Sequence, residues 1–399
     1  MVLIRRLFSP TPPAVVQLPA EPSTSAPVGR TSKQPTVQPA AVHEPQAKLE
    51  VQLSTPEVRR GKGKAPTAGA ARDHYQEVTD TLVEAIENGT APWQRPWDGS
   101  VLWPMNATTG KPYHGVNVML LAGEGFQDGR WCTYQQGQGK KWQVRKGERG
   151  SRIFFYKPFQ KNTGEIDLET GKPEVRVIPI LKSYTVFNLS QMDNVPEADP
   201  ERTAQHTRDV SDLTVQLCEE IVEAAGVDVV HGYRQAYYSP SDDKIYMPER
   251  ETFESDAAYF ATLLHEIGHW TGHESRLNRE FSFDRKAPSY AREELRAEMA
   301  SVMLSMRLGI PSNIDNHSAY VDGYLKLLRS DKKEIFRASK DAEKMARYVL
   351  SFHPDFRDEL EGEHRDQMTA AVAAGGPEEI FDASDFDFEP DMPLMGMQP

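Results

Sequence analysis

The sequence predicts an α+β chain in which an amino-terminal α+β domain precedes a mainly helical domain, with disordered segments at both ends. Three observations carry that expectation. Residues 1–72 contain eleven of the 29 prolines, spaced by Ser, Thr, Ala and Gln, with almost no aromatic residues. Between 73 and 189, one helical pattern is followed by long β-branched and aromatic runs, and between 209 and 352 helical spacing dominates.

A segment like 1–72 buries too little apolar surface to offset its chain entropy and reads as a tail. Order begins near Asp73. Tyr75, Val78, Leu82 and Ile86 recur at helical spacing, and Gly89 followed by Pro92 ends the pattern. A loop carrying Trp93, Trp97 and Trp103 follows, then the turn Thr109-Gly110 and a second apolar stretch, Val116 to Leu121. Arg152–Phe159 and Val175–Phe187 read as strands, with Thr163-Gly164 and Thr170-Gly171 in the loop between them. The first domain is therefore placed at 73–189, followed by a polar linker over 190–208 with Pro196 and Pro200.

In the second domain, 209–352, a helix presents Leu213, Leu217, Ile221 and Ala224 on one face and stops at Gly226. Gln235–Tyr238, Ser241-Asp242-Asp243 and Lys244–Met247 read as a hairpin. Helices are expected from near Ser255, over Glu293–Leu308, over Ala319–Leu328, and over Lys332–Leu350. The last of these opens with an Asp331…Glu334 capping pair. Residues 353–399 read as an acidic, disordered tail whose expected role is to aid solubility.

The formal charge of -13 argues against a protein that coats duplex DNA nonspecifically. Cys132 and Cys218 are the only cysteines and have no metal-type spacing, so any metal must be held by His and carboxylate. Their scarcity fits a reducing cytoplasm. No apolar run is long enough for a membrane span, and none follows Arg5 and Arg6 to form a secretory signal.

The most informative motif is His265-Glu266-Ile267-Gly268-His269. On a helix, residues four apart are offset by about 40° and about 6 Å along the axis, so both imidazoles can share one zinc ion. Glu266 is then placed to act as general base on a water, the arrangement of a metallopeptidase. Another divalent metal would suit the same ligands. A third ligand is required. His273 lies past Gly272, so a sharp turn would be needed to bring it to the ion, and the longer metzincin spacing is absent. Glu294 and Glu298 share a face of the following helix. Glu294 is favoured on the metal, in a gluzincin-like site, with Glu298 and His273 beside the ligands. The reverse order of the two glutamates, or His273 as ligand, stays open. Tyr290 is a candidate to polarise a scissile carbonyl, and Lys244–Met247 a candidate edge strand for an extended peptide.

A second constellation lies in the first domain. Arg130 to Lys161 holds nine basic residues and one acidic residue, Glu148. Lys140, Lys141, Arg145, Lys146, Arg149 and Arg152 alternate with Trp131, Tyr134, Trp142, Phe154 and Tyr156. Cations for phosphates interleaved with flat faces for unstacked bases suit single-stranded nucleic acid, and Gly147 and Gly150 would let phosphates approach the backbone. No recognition-helix pattern for duplex reading is present.

Tyr75–Thr79, Pro92-Trp93, Pro96-Trp97, Asn106…Thr109-Gly110-Lys111…Tyr113…Gly115-Val116-Asn117, Val144–Gly150 and Val186-Phe187-Asn188 resemble the amino-terminal domain of ArdC-type antirestriction proteins, a domain with relatives in TraC-type plasmid primases. Ala236–Tyr238, Met247-Pro248, His265–His273, Arg276–Arg279 and Tyr290–Leu295 resemble the family's zincin-like carboxy-terminal domain. The resemblance implies single-stranded DNA binding, with Lys111 on the binding side, and a metallopeptidase fold. It also implies a cytoplasmic protein of a plasmid or other mobile element that counters host restriction machinery. Three functions remain in play: an antirestriction protein with a zinc peptidase acting on a protein substrate, a non-enzymatic protein that shields single-stranded DNA around a structural zinc, and a DNA-activated protease of DNA-bound proteins.

Overall fold

The computed structural model describes residues 73–89, 91, 102–166, 173–197, 212–280, 287–311, 321–373 and 381–382. The Pro-rich head lies outside them. All the described residues belong to one unit, Arg72–Pro399.

The first helix, α1 (His74–Glu87), starts where Asp73 accepts a hydrogen bond from the Gln76 N–H, and it buries Val78, Leu82 and Ile86. β1 (Met105–Asn106), α2 (Val116–Ala122), β2 (Arg130–Thr133) and α3 (Tyr134–Gly139) follow. Thr133 and Gln136 close a capping box at the head of α3. β3 (Gln143–Val144) leads to two long antiparallel strands, β4 (Ser151–Ile166) and β5 (Pro173–Asn188). β4 continues through Thr163-Gly164, which the turn residues place in a loop. A register shift between Asn162 and Ile166 absorbs the irregularity and lets pairing resume at Pro173. The expected linker also begins late. Leu189–Gln191 form a 3-10 turn, and β6 (Met192–Asp193) pairs back onto β3, so the first half closes past residue 190.

The second half opens with α4 (Asp212–Ala225), which buries Cys218 and Ile221. Leu213 is 56% exposed, so the buried face is rotated from the expected one. It is set by the Cys218/Ile221 pair, with Val215, Leu217, Val222 and Ala225 packed around it. β7 (Asp228–Val230), β8 (Tyr237–Ser239) and β9 (Lys244–Tyr246) form a sheet in the order β7-β9-β8, parallel then antiparallel. The helices α5 (Asp256–Trp270), α6 (Pro288–Leu308), α7 (Val321–Ser330) and α8 (Glu334–Leu350) complete the bundle. The capping pair expected at α8 does not form. Asp331 accepts from the Lys333 N–H at 2.9 Å, while Glu334, 1% exposed, is held by Arg292, Arg296 and Arg337. A buried carboxylate gains more from guanidinium partners than from one backbone N–H.

The chain beyond 352 departs from the expected disordered tail. α9 (Pro354–Ala373) begins with Pro at its first position, a preferred site for proline, and buries Phe356. Glu359 and Glu363 meet Arg307 at 3.0 and 3.5 Å, and Glu363 meets Arg347 at 2.7 Å. The acids are thus matched by arginines already on the bundle. Phe381–Asp382 form β10, paired with β4 in the five-stranded sheet β1-β2-β5-β4-β10.

One hydrophobic cluster runs from Val78, Leu82 and Ile86 through Val118 and Met119 to Leu328, Phe336 and Met345, joining the two halves. Polar ties cross the same boundary. Thr79 donates to the Lys332 carbonyl at 2.9 Å, and Glu343 accepts from the Gly115 N–H at 2.7 Å while lying 2.6 Å from His114 Nδ1. Among the described residues no helix is long and apolar enough to cross a membrane.

Candidate metal centre and nucleic-acid face

α5 is started by Ser255, whose hydroxyl accepts from the Ala258 N–H at 3.2 Å. It runs straight through the motif and ends at Trp270. Its partner is α6. Gly268 makes the pairing close, because a Cβ there would meet the Ala297 Cα at 3.3 Å. That approach carries the carboxylates of α6 to the imidazoles of α5.

His265, His269 and Glu294 offer ligand atoms that all lie within 4.8 Å of one another. Glu294 spans the two rings, its Oε2 3.7 Å from His265 Nε2 and its Oε1 3.7 Å from His269 Nε2. The rings meet edge to face with centroids 4.9 Å apart. Each Nδ1, turned away from Glu294, faces another carboxylate: Glu298 Oε2 at 3.8 Å from His265, and Glu293 Oε1 at 3.3 Å from His269. The Glu293 contact is within hydrogen-bond range and fixes the tautomer that leaves His269 Nε2 free to coordinate, while Glu298 faces His265 from just beyond that range.

Sequence reasoning misses Glu293, naming Glu298 and His273 as the outer partners of the two ligating imidazoles. Arg279 is missed with it. Its guanidinium donates to Glu293 at 2.7 and 3.1 Å, to Thr271 Oγ1 at 2.8 Å and to the Gly268 carbonyl at 2.8 Å, pinning the end of α5. Burial alone would raise the Glu293 carboxyl, but the hydrogen bonds from His269 and Arg279 hold it below its ordinary range.

His273 does not join this group. α5 stops at Trp270, the chain turns, and His273 Nδ1 engages Ser275 instead, with the hydroxyl at 2.8 Å. Its expected place beside the ligands is therefore corrected. Tyr290 is half-buried in the first turn of α6, one turn before Glu294.

Glu266 is buried beside the ligands. Burial, reinforced by the charges of Glu294 and Glu298, pushes its carboxyl up to about 7 against the pull of His269 and of the Tyr238 backbone N–H. Burial would depress His269, yet its bond to Glu293 and the charges of Glu294 and Glu266 hold it up at about 9. Four carboxylates around two imidazoles make a pocket that favours positive charge. Two Nε2 atoms and one carboxylate are a donor set suited to a divalent cation.

The expected edge strand is corrected. Lys244–Tyr246 is the central strand of its sheet, paired on both sides, and the edge nearest α5 is β8. The Tyr238 N–H reaches Glu266, so the outer side of β8 borders the site. Tyr238 is braced from below. Its hydroxyl donates to Asp243 at 2.8 Å, and Arg276 binds Asp243 at 3.0 Å through Nη1, donates to the Trp270 carbonyl at 2.6 Å and stacks over the Trp270 ring at 4.0 Å.

In the first half, Lys111, Lys140, Lys141, Lys146 and Arg149 are exposed. Arg145 is tied to Glu148 at 3.1 Å and to the Ser190 carbonyl, and Arg152 is paired with Glu77. The aromatics do not interleave with these cations at the surface. Trp131, 1% exposed, fills a core with Tyr113, Leu121, Ile153 and Val186, and Phe154 and Tyr156 are buried too. Trp142 is half-buried against Cys132, Leu189 and Met192. Inward positions of β2 and β4 claim these rings because burying them stabilises the sheet more than exposure could. Tyr134, at the head of α3, is the exposed exception. Gly147 has φ 94° and open space around it, whereas Gly150 sits where a Cβ would lie 2.8 Å from the Val186 carbonyl. Gly150 thus serves strand packing rather than access for a phosphate.

Two family profiles match the chain: the N-terminal domain of anti-restriction factor ArdC over residues 72–187, and a zincin-like metallopeptidase over residues 216–341. The chain is similar to DNA primase TraC of Escherichia coli, 40% identical over 302 residues that make up 71% of this chain and 28% of the primase. A second E. coli TraC primase is 39% identical over 70% of the chain and 20% of its own length. The chain thus spans under a third of the primases it matches. Protein y4eC of Sinorhizobium fredii is 35% identical over 73% of the chain and 96% of its own length. Among solved structures, the metal-free antirestriction protein ArdC from the R388 plasmid matches with a TM-score of 0.58, at 38% identity, over 70% of this chain and 98% of that one. Its Mn(II)-bound structure matches with a TM-score of 0.54 over the same shares.

Proposed function

The chain belongs to the ArdC family of antirestriction proteins, and on that premise we propose that it is a cytoplasmic protein of a mobile element that binds single-stranded DNA and hydrolyses a peptide bond at a divalent metal site. DNA binding is assigned to residues 73–189 and hydrolysis to residues 209–352. The observation that carries the second assignment is the convergence of His265, His269 and Glu294 beside a buried Glu266.

In this reading His265 Nε2, His269 Nε2 and Glu294 hold the cation, zinc by preference of the donor set, as the R388 relative holds Mn(II) in its crystal. The bound cation would supply Lewis acidity toward a water and toward the peptide carbonyl. The protein's own residues do the rest. Glu293 and Glu298 orient the imidazoles. Glu266, held near neutrality by burial and aimed by the Tyr238 N–H, takes a proton from the attacking water and passes it to the departing amine. The outer side of β8 offers backbone groups to an extended substrate, and Tyr290, one turn before Glu294, is assigned to polarise its carbonyl.

On the other half, Lys111, Lys140, Lys141, Lys146 and Arg149 bind phosphates, and Tyr134 offers a ring to one base. Trp142 contributes through its exposed edge, while Arg145 and Arg152 share their charge with Glu148 and Glu77. The DNA-bound state is the one in which host restriction machinery, or a protein on the strand, becomes the substrate.

The test is cleavage of casein and of DNA-bound proteins by metal-loaded wild type and Glu266→Ala, with and without single-stranded DNA. The reading expects cleavage by wild type only, faster with DNA. If both proteins bind the cation, neither cleaves, and both still protect DNA from restriction, the metal centre is a structural element of a shielding protein.

A further inference from the structure

Beside the metal centre, the outward face of the β8–β9 pair carries three tyrosines that the chemistry above does not use. Residues of a strand alternate between faces. Tyr238 points toward α5 and is buried, whereas Tyr237 points outward and is 43% exposed. Its cross-strand partner is Tyr246, with the rings stacked at 4.9 Å, and Tyr233, also 43% exposed, packs against Tyr246 at 4.6 Å. Together they form an aromatic platform on the edge strand that borders Glu266.

Its electrostatic setting selects an occupant. Asp242 lies at the rim and accepts from the Tyr246 and Ser239 hydroxyls at 3.2 and 2.9 Å. Glu249 reaches the neighbouring loop, its Oε1 3.5 Å from where a Cβ on Gly232 would stand. Lys244 is already held by Asp228 at 2.8 Å, and Arg234 follows Tyr233 in the loop. Around the platform Asp228, Asp242 and Glu249 outnumber Lys244 and Arg234, a setting that favours cations over phosphate. A chain that adds to β8 sets alternate side chains on this same face, and the one opposite Tyr237 lies about 5 Å away between Cβ atoms. Aromatic faces attract ammonium and guanidinium groups.

We propose that Tyr233, Tyr237 and Tyr246, rimmed by Asp242 and Glu249, receive a lysine or arginine side chain of the peptide substrate, which makes the site selective for basic peptides. The inference rests on the peptidase reading and names its substrate class.

The test measures binding apart from cleavage. Short fluorescent peptides identical except for a central Lys, norleucine or Glu are titrated into the full-length, metal-loaded Glu266→Gln protein, followed by anisotropy. The Lys peptide should bind about three- to tenfold more tightly than the norleucine peptide. Tyr237→Leu or Asp242→Asn should erase most of that preference, and Tyr237→Phe should keep it. Equal affinity for Lys and norleucine peptides overturns the proposal, as does a preference that survives in Tyr237→Leu. Loss of oligothymidylate binding in Tyr237→Leu, without a change for the Lys peptide, also overturns it and assigns the platform to nucleobases. Incubating wild type with the same peptides tests the peptidase reading separately. Absence of cleavage there fails that reading and leaves the binding result to decide the platform.

Discussion

Gly268 faces Ala297 so closely that a Cβ on the glycine would stand 3.3 Å from the alanine Cα. The contact lies three residues from both His265 and Glu294, and it sets how near the two metal-binding helices approach. A large side chain at this position must push α6 away. Gly268→Leu should cost about 1–3 kcal/mol of stability through overpacking. It should also lower metal occupancy, because Glu294 would no longer span both rings. Thermal unfolding with and without added Zn2+ checks this, since the mutant should lose most of the metal-dependent rise in Tm.

The outer carboxylates give a second expectation. Glu293→Ala removes the group facing His269 Nδ1 and the carboxylate that Arg279 binds, while the three proposed ligands stay. Metal affinity should fall about 10- to 100-fold. Competition with a chromophoric chelator measures it, and Glu298→Ala should act similarly through His265. Unchanged affinity in both variants would show that the imidazoles need no outer support.

A pH dependence follows from Glu343, which joins α8 to the loop before α2. Burial would raise its carboxyl, but the charge and hydrogen bond of His114, the Gly115 N–H and Arg347 hold it below its ordinary value of 4.5. The folded pKa is depressed, so this contribution to stability is fully present above about 4.5 and is lost as pH falls through the folded value. Urea midpoints taken down from pH 7 should decline below that point in wild type and decline less in Glu343→Gln. At pH 7 the mutant itself should be less stable by about 3 kcal/mol, the scale for a broken buried pair.

Changing Lys140, Lys141 and Lys146 together should reduce the slope of log affinity for single-stranded DNA against log salt by about 2, roughly 0.7 for each phosphate that is no longer neutralised. Trp131→Ala should behave differently. It empties a core position and should cost about 3–5 kcal/mol in stability. An unchanged salt slope in the triple lysine variant would remove these residues from the strand-binding face.

The differences between sequence and structure follow from what each kind of signal contains. His265, Glu266 and His269 are legible because helix periodicity alone places them on neighbouring positions of one turn. Glu294 is legible as one of two candidates, because i,i+4 spacing puts it on a face with Glu298. Glu293 is not, since its partner, His269, lies on another helix whose rotation no local pattern fixes. The edge strand escapes for a similar reason. The hairpin is visible in the turn residues, but the parallel strand Asp228–Val230 that covers Lys244–Tyr246 is a non-local pairing. Composition offers Trp131 and Tyr156 as base-stacking rings because it does not say which face of a strand is covered. α9 is hidden by its acidity, which becomes favourable only beside Arg307 and Arg347.

The central claim is that two imidazoles and Glu294 hold one divalent cation. Inductively coupled plasma mass spectrometry of wild type and Glu294→Ala, purified in parallel and exchanged into metal-free buffer, tests it most directly. The account expects about one divalent ion per wild-type chain, in keeping with a site of this donor set, and a small fraction of that in the variant. Wild type without a divalent ion, or a Glu294→Ala protein that keeps its full complement, would contradict it.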